Sequence, residues 1–138
     1  MSTPKITIKA TIKAPIEKVW KYYSSPDHIV NWNFANAEWH CPVAHVDLTE
    51  GGKLSYRMEA RDGSMGFDFE GTYDKIIPLN EIHYHLDDQR AVQVVFNNIS
   101  EKKTEVAIHF DPENTNPHNF QQQGWQAILD KLKDYVEK

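Results

Sequence analysis

The stretch "KITIKATIKAPIEKVWKYYSSPDHIVNW", residues 5–32, is the most informative part of the sequence because it changes from strand periodicity to helix periodicity within a few residues. Its first eight residues alternate between polar and apolar side chains, which is the period of a half-buried strand. The next segment, "APIEKVWKYY" at 14–23, has Pro15 near a helix start and an apolar stripe at helical spacing. The stretch therefore predicts a strand followed directly by a short amphipathic helix.

The remainder of this stretch predicts a second short helix. The residues "SSP" at 24–26 interrupt the aromatic segment, and serine and proline are common where helices end and turns begin. Asp27 is a residue type that caps helix N-termini. We therefore expect a second helix from His28 to about Asn33, with Trp32 on its apolar side.

The middle of the chain is predicted to be a series of strands joined by turns. The turns are "TEGGK" at 49–53, "RDGS" at 61–64, "DDQ" at 87–89 and "NNISEKK" at 97–103. The predicted strands are "WHCPVAHVDL" (39–48), "KLSYRMEAR" (53–61), "MGFDFEGTYDKII" (65–77), "EIHYHL" (81–86), "QRAVQVVFN" (89–97) and "TEVAIHFD" (104–111). Because most of them alternate between apolar and polar residues, we expect an antiparallel sheet with one buried face and one face in water.

The C-terminal segment "NPHNFQQQGWQAILDKLKDYVEK", residues 116–138, predicts the one long helix. Asn116 is expected to cap it, Pro117 suits its first turn, and apolar residues recur at helical spacing over about 20 residues. The order of elements predicts an α+β fold in which this helix packs on the apolar face of the sheet.

The composition is that of one globular domain covering residues 1–138. Of its 138 residues, 40% are hydrophobic and 25% are charged, and the net charge is −5. An acidic chain without a Lys/Arg cluster is a poor match for nucleic acid or for an anionic membrane. Cys41 is the single cysteine, and the sequence shows neither a secretory leader nor an apolar run long enough to insert into a membrane. We therefore expect a cytoplasmic protein.

Several short motifs resemble one protein superfamily, in the same order along nearly the whole chain. They are Ala14-Pro15 with Val19-Trp20, Pro26 with Trp32, "DLTEGG" at 47–52, "GTYDKIIPLNEIHY" at 71–84, and Gly124-Trp125 with Leu129 and Leu132. The chain resembles helix-grip proteins of the START/Bet v-like (SRPBCC) superfamily and, within it, the family named for activators of the heat-shock protein 90 ATPase. One position departs from that family, since Thr49 stands where its pattern usually has arginine, so no role of that arginine is carried over.

The resemblance implies a curved antiparallel sheet wrapped around the C-terminal helix, with an internal apolar cavity between them. The two short helices are then expected to close one edge of the sheet. The residues expected to line or gate the cavity are Trp32, Phe34, Trp39, Tyr56, Met58, Phe67, Phe69, Tyr84, Phe96, Trp125 and Leu129. His28, Tyr56 and Tyr84 are the polar groups expected in the cavity or at its rim. The alternative is that the rings only fill the core of a small domain.

The other reactive side chains are expected to have structural roles, on the surface or in the core, and not catalytic or metal-binding roles. His40 and Cys41 are adjacent in a predicted strand, so their side chains point to opposite faces and cannot form a catalytic pair. His83, His85 and His109, like Asp68 and Glu70, lie on the polar sides of strands whose other sides are apolar. We therefore expect no metal site and no cofactor, and the sequence identifies no catalytic residue.

The leading hypothesis is a small binding protein that holds a hydrophobic or amphipathic molecule between sheet and helix. One alternative is a cyclase or hydrolase that uses cavity tyrosines or a rim histidine as acid or base. The other is an interaction module that contacts a chaperone, as the family name implies.

Overall fold

A seven-stranded antiparallel sheet forms most of the structure, a computed structural model that describes residues 5–138. Its strands are β1 (Ile6–Ile12), β2 (Trp39–Val46), β3 (Lys53–Ala60), β4 (Gly66–Ile77), β5 (Glu81–Leu86), β6 (Ala91–Ser100) and β7 (Lys103–Phe110). They lie in the order β1-β7-β6-β5-β4-β3-β2, so β1 pairs with the last strand and forms one edge. Residues 1–4, which we assigned to the same domain, lie outside the described residues.

Two short helices connect β1 to β2. They are α1 (Ile16–Ser24) and α2 (Pro26–Ile29), so α2 is shorter than predicted. Asp27 was expected to cap α2, but Ser25 occupies the cap position and Asp27 lies in the first turn. The helix ends early because the chain tightens into turns, in which the Asn31 N–H donates to the His28 carbonyl at 2.9 Å.

The long C-terminal helix, α3 (His118–Glu137), has 20 residues. Pro117, and not Asn116 as predicted, occupies its N-terminal cap position. Proline suits this position because it has no backbone N–H that must be satisfied. None of the helices within residues 5–138 has both the length and the apolar composition needed to cross a membrane.

The predicted alternation of buried and partly covered side chains is regular in β3, β5 and the first part of β6, but not in β2 or the first part of β4. In β3, for example, Leu54, Tyr56 and Met58 are buried, and the residues between them are only partly covered. The α+β helix-grip prediction is confirmed: α3 packs against the curled sheet and two short helices follow the first strand. The turn predicted over residues 97–103 is present but shorter, at residues 101–102, because β6 continues through Asn98, which pairs with Thr104 of β7. Pairing with a neighbouring strand thus outweighs the turn preference of asparagine.

The "TEGG" turn between β2 and β3 depends on its two glycines. Gly51 has φ of +86°, a conformation that costs glycine little. At Gly52 a Cβ atom would lie 2.2 Å from the Asp47 carbonyl oxygen, so a side chain does not fit. The turn also bonds to β4, since the Gly51 N–H donates to the Tyr73 carbonyl at 2.8 Å. This contact lies where the β4–β5 register becomes irregular, between Tyr73 and Lys75.

Polar side chains of α3 cover the free edge of β1. Gln122 and Gln126 donate to the carbonyls of Thr7 and Lys9 at 3.2 and 2.9 Å. Further along, the Lys133 ammonium donates to a third β1 carbonyl, that of residue 11, at 2.8 Å. An unpaired strand edge is a template for pairing with another chain, so these bonds protect it.

Candidate functional site

A cavity of about 200 Å³ lies between the sheet and residues 125–129 of α3. Aromatic and aliphatic side chains form nearly all of its wall, and one amide side chain joins them. The lining residues are Tyr23, Trp32, Asn33, Tyr56, Met58, Phe67, Phe69, Tyr84, Ile108, Trp125, Ile128 and Leu129. They come from α1, β3, β4, β5, β7, α3 and the segment after α2, so the cavity depends on the whole fold.

The structure places most of the predicted cavity residues in this wall. They are Trp32, Tyr56, Met58, Phe67, Phe69, Tyr84, Trp125 and Leu129. The strand residues among them share the inner face because side chains two apart lie on the same side of a strand. Trp125 and Leu129 share one side of α3 because they are four residues apart.

Three predicted residues lie near the cavity without lining it. Phe96 is buried, but Trp20 and Tyr23 of α1 cover its ring, with centroids at 5.0 and 5.6 Å. Trp39 pairs with Ala60 at the end of β3, so it lies beyond the cavity, near the β3–β4 turn. Phe34 lies outside the wall.

The polar residue expected at the rim, His28, instead joins α2 to α3. Its Nδ1 atom lies 2.7 Å from the Tyr135 hydroxyl, and its ring stacks on Tyr22 with centroids 3.9 Å apart. Asn31 also donates to the Tyr135 hydroxyl, at 3.4 Å. These contacts hold the short helices against α3, and His28 is not part of the cavity wall.

Four lining residues were not singled out from the sequence. Tyr23 belongs to the apolar stripe of α1, and Ile108 and Ile128 follow the periods of their strand and helix, so periodicity predicts their burial. Asn33 had no such signal, because it lies in the irregular segment between α2 and β2.

Phe67 forms the mouth of the cavity. This ring lines the cavity and is nevertheless 50% exposed to solvent, so the wall is open beside the β3–β4 turn. The Trp39 ring lies edge-on to it, with centroids 6.0 Å apart. Trp125, which also lines the cavity, stacks on Phe110 with ring centroids 3.9 Å apart, and this contact holds the indole against the sheet.

Three tyrosines contribute hydroxyl groups to this wall, and all three remain neutral at physiological pH. Burial raises the pKa of Tyr23, Tyr56 and Tyr84 above the usual tyrosine value. A hydrogen bond from the Tyr84 hydroxyl partly opposes this effect at Tyr23. Burial also raises the pKa of the neighbouring Tyr73 to about 12. These hydroxyls can donate or accept hydrogen bonds, but their pKa values lie far from the range in which a general base works at neutral pH.

Asn33 is the one amide in the wall, and it is 8% exposed. Its Nδ2 atom approaches two sulfur atoms, Met58 Sδ at 3.4 Å and Cys41 Sγ at 4.0 Å. Sulfur is a weak acceptor, so these contacts leave much of the donor capacity of the amide unused. Asn33 thus introduces a buried polar group into an otherwise apolar and aromatic region.

The reactive side chains outside the cavity have ordinary structural partners. Burial raises the pKa of the Cys41 thiol, which donates to the Val43 carbonyl at 3.5 Å. Adjacent His40 pairs with Glu59 instead, at 3.7 Å. His83 and His85 lie beside Glu81 and Asp74 at 2.7 and 2.8 Å.

Within residues 5–138, no three His, Cys, Asp or Glu side chains lie close enough together to hold a metal ion. The third histidine of the series, His109, bonds to the Thr7 hydroxyl at 2.8 Å. Of the paired carboxylates, Asp68 lies 3.4 Å from Arg57, and Glu70 is exposed. His109, Asp68 and Glu70 therefore have the partners or the exposure of ordinary surface side chains.

The comparisons with known proteins agree with this architecture. The model of the family described as Activator of Hsp90 ATPase homolog 1-like protein matches residues 13–137. An AHSA1-like protein from Aeromonas hydrophila is 42% identical, with a TM-score of 0.90, over 96% of this chain and 92% of that chain. The protein Chr148 from Cytophaga hutchinsonii is 48% identical, with a TM-score of 0.83 and the same coverage. Protein CV1439 from Chromobacterium violaceum shares only the fold, at 22% identity and a TM-score of 0.86 over 99% of both chains. No curated protein matches the sequence.

Proposed function

We propose that the chain, which belongs to the Activator of Hsp90 ATPase homolog 1-like family, binds a small apolar or amphipathic molecule in the cavity between its sheet and α3. The observation that carries this proposal is the half-exposed Phe67 at the mouth of a mostly apolar wall whose other residues are buried or partly buried. A concave apolar site with a few placed polar groups is the usual form of a small-molecule site. The single cysteine, which excludes an internal disulfide, is consistent with function in the cytoplasm.

The volume limits the size of the molecule. Known small-molecule pockets measure roughly 300–1,000 Å³, whereas an engineered apolar cavity of about 150 Å³ holds benzene. A cavity of about 200 Å³ lies between these cases. It suits one ring or a short chain, and a two-chain lipid would have to extend through the mouth.

Catalysis by the cavity tyrosines is the less favoured alternative. Efficient acid–base catalysis needs a group whose pKa lies near the working pH. Burial shifts the pKa of Tyr56 and Tyr84 in the wrong direction for a base at neutral pH. The rim histidine considered from the sequence, His28, is held by Tyr22 and Tyr135 away from the wall.

Binding to a chaperone is the other alternative, and the family description makes it a natural one. Met65 and Phe67 are 62% and 50% exposed, so an apolar surface lies beside the mouth. Such a surface can contact a protein. The position of Phe67, however, is also explained by its place in the cavity wall. We therefore rank the small-molecule function first.

Native mass spectrometry of the protein purified from its own host tests the proposal. We expect a bound mass that leaves on denaturation and can be identified in an organic extract. The variant Ile128→Trp, which places a larger side chain in the wall, should lose this mass. The matched variant Ile99→Trp makes the same change at an exposed position of β6 and should retain it.

Two outcomes count against the proposal. A clean apo mass that gains no adduct from a mixture of lipophiles would indicate that the rings only fill the core, and would favour the chaperone alternative. Equal retention of the bound mass by Ile128→Trp and by the parent protein would place the molecule elsewhere on the chain. Copurification with a chaperone and a change in its ATP turnover would support the interaction module directly.

A further inference from the structure

We propose that the cavity selects uncharged molecules that carry a hydroxyl, carbonyl or amide group, and that Asn33 is the residue that recognises this group. The inference rests on the proposed binding function and adds the chemical class of the ligand. It follows from three observations: the wall carries no charge, Asn33 has unused hydrogen-bonding capacity, and the cations beside the neighbouring Phe34 lie outside the wall.

The wall contains no ionised side chain. Its polar side-chain groups are the Asn33 amide, three tyrosine hydroxyls and the indoles of Trp32 and Trp125. The Trp32 N–H already donates to the Tyr22 carbonyl at 2.9 Å. Because burial raises their pKa values, the tyrosines are neutral and offer no positive or negative partner. A charged ligand group would lose its water without gaining a counter-ion, which is the most costly form of burial.

Asn33 retains bonding capacity on both atoms of its amide. The Nδ2 atom has only the two sulfur contacts, and no group within residues 5–138 donates a hydrogen bond to Oδ1. The same residues contain no inaccessible polar side-chain atom that lacks a partner. The Oδ1 atom is therefore accessible although the residue is 92% buried, and it belongs to a side chain in the cavity wall. A primary amide that can donate and accept complements a hydroxyl, carbonyl or amide group.

The two cations beside Phe34, the residue next to Asn33, lie outside the wall. Arg61 and Lys131 lie over the ring of Phe34, at 5.9 and 5.5 Å from its centroid. Neither they nor Phe34 lines the cavity. A ligand with a carboxylate could pair with these cations only if its charged end stayed at the surface. Its polar group would then not bind Asn33, so this binding mode differs from the one inferred here.

A series of eight-carbon probes tests the inference. Octanamide, octan-1-ol, octanoate and octylammonium share one chain length, and n-octane serves as the apolar reference. We expect octanamide and octan-1-ol to bind, and octanoate and octylammonium to bind at least about 30-fold more weakly than octanamide at pH 7.4. Isothermal titration calorimetry measures the four polar probes without a label, and headspace gas chromatography measures the uptake of the sparingly soluble n-octane by the protein.

The variant Asn33→Leu separates recognition of the polar group from general apolar binding. Leucine has a similar size and no hydrogen-bonding group, so octanamide should bind about tenfold more weakly, whereas n-octane should bind at least as well as before. Retained n-octane binding also shows that the variant is folded with its cavity intact. Should Asn33→Leu prove unfolded, Asn33→Gln, which keeps the amide and displaces it by one methylene, should show the same selective loss for octanamide.

Each result has a distinct meaning. If octanoate binds as tightly as octanamide, or if Asn33 variants affect octanamide and n-octane equally, the inference is wrong and the proposed binding function stands. If none of the five probes binds, n-octane included, the binding function itself fails. Selective binding of the neutral polar probes that depends on Asn33 supports both.

Discussion

Residues 118–129 and 130–137 of α3, called here its N-terminal and C-terminal halves, pack against the same sheet in different ways. In the C-terminal half, Leu132 and Val136 are 0% and 1% exposed, in a densely packed interface. In the N-terminal half, Trp125 and Ile128 are only partly covered and border the cavity. Close packing of apolar groups provides stability, and unfilled space beside them provides a place for another molecule. We infer that the C-terminal half mainly stabilises the fold and that the N-terminal half mainly serves binding.

The two halves are also joined to β1 by different chemistry. Gln122 and Gln126, in the N-terminal half, use neutral amides. Lys133 and Glu137, in the C-terminal half, use charged groups: Glu137 accepts from Lys133 at 2.6 Å and from the backbone N–H of Lys13 at 2.8 Å. Acid should therefore weaken the attachment of one half to β1 and leave that of the other unchanged.

The strongest test of this comparison replaces one leucine in each half by alanine. Leu132→Ala removes a side chain that is fully buried in the packed half, so it should lower the free energy of unfolding by about 3 kcal/mol. Leu129 is also buried, at 2% exposed, but it borders the cavity and therefore has fewer packing partners on that side, so Leu129→Ala should cost less, about 2 kcal/mol. Urea denaturation of both variants measures the difference. Equal losses, or a larger loss at Leu129, would mean that the two halves do not differ in packing.

The second test concerns the mouth. Phe67→Ala should change the free energy of unfolding by less than about 1 kcal/mol, because half of the ring is already in water. The same variant should weaken octanamide binding about fivefold, because the ring is part of the cavity wall. Phe120→Ala is the matched control, since Phe120 is an exposed phenylalanine of α3 outside the wall. If the two variants bind octanamide equally, Phe67 does not form part of the binding site.

Much of the fold could be predicted because each element has a clear period. The alternation in β3 and β5 and the helical stripe of α3 determine which side of each element is apolar, and burying those sides leaves few arrangements. The predicted boundaries are wrong where the conformational preference of a residue competes with strand pairing or with the geometry of the chain. Asn98 pairs in β6 although asparagine favours turns, and α2 stops before Asn33 because the chain tightens into turns.

The site could be predicted only where its residues follow a period. Tyr56 and Met58 face inward with the rest of β3, so their place in the wall follows from alternation. Phe96 also faces inward, but whether a helix covers an inward ring depends on tertiary packing. Asn33 lies outside any periodic element, and its importance comes from contacts with residues 41 and 58. Such contacts across the fold leave no pattern in the local sequence.

The last prediction uses pH to distinguish the two halves. Hydrogen bonds from the Lys133 side chain and the Lys13 backbone lower the pKa of Glu137 below its usual value of 4.5. A carboxyl whose folded pKa is below its unfolded pKa stabilises the folded state above the unfolded value, and this stabilisation is lost as pH falls through the folded pKa. The Lys13 amide should therefore lose hydrogen-exchange protection as pH falls below about 4.5.

Glu137→Gln should remove this pH dependence and, because the group is near the surface, cost at most about 0.5 kcal/mol at neutral pH. Since Gln122 and Gln126 do not titrate, the β1 residues opposite the N-terminal half should show no matching loss, and a uniform loss along β1 would mean that acid acts on the whole fold.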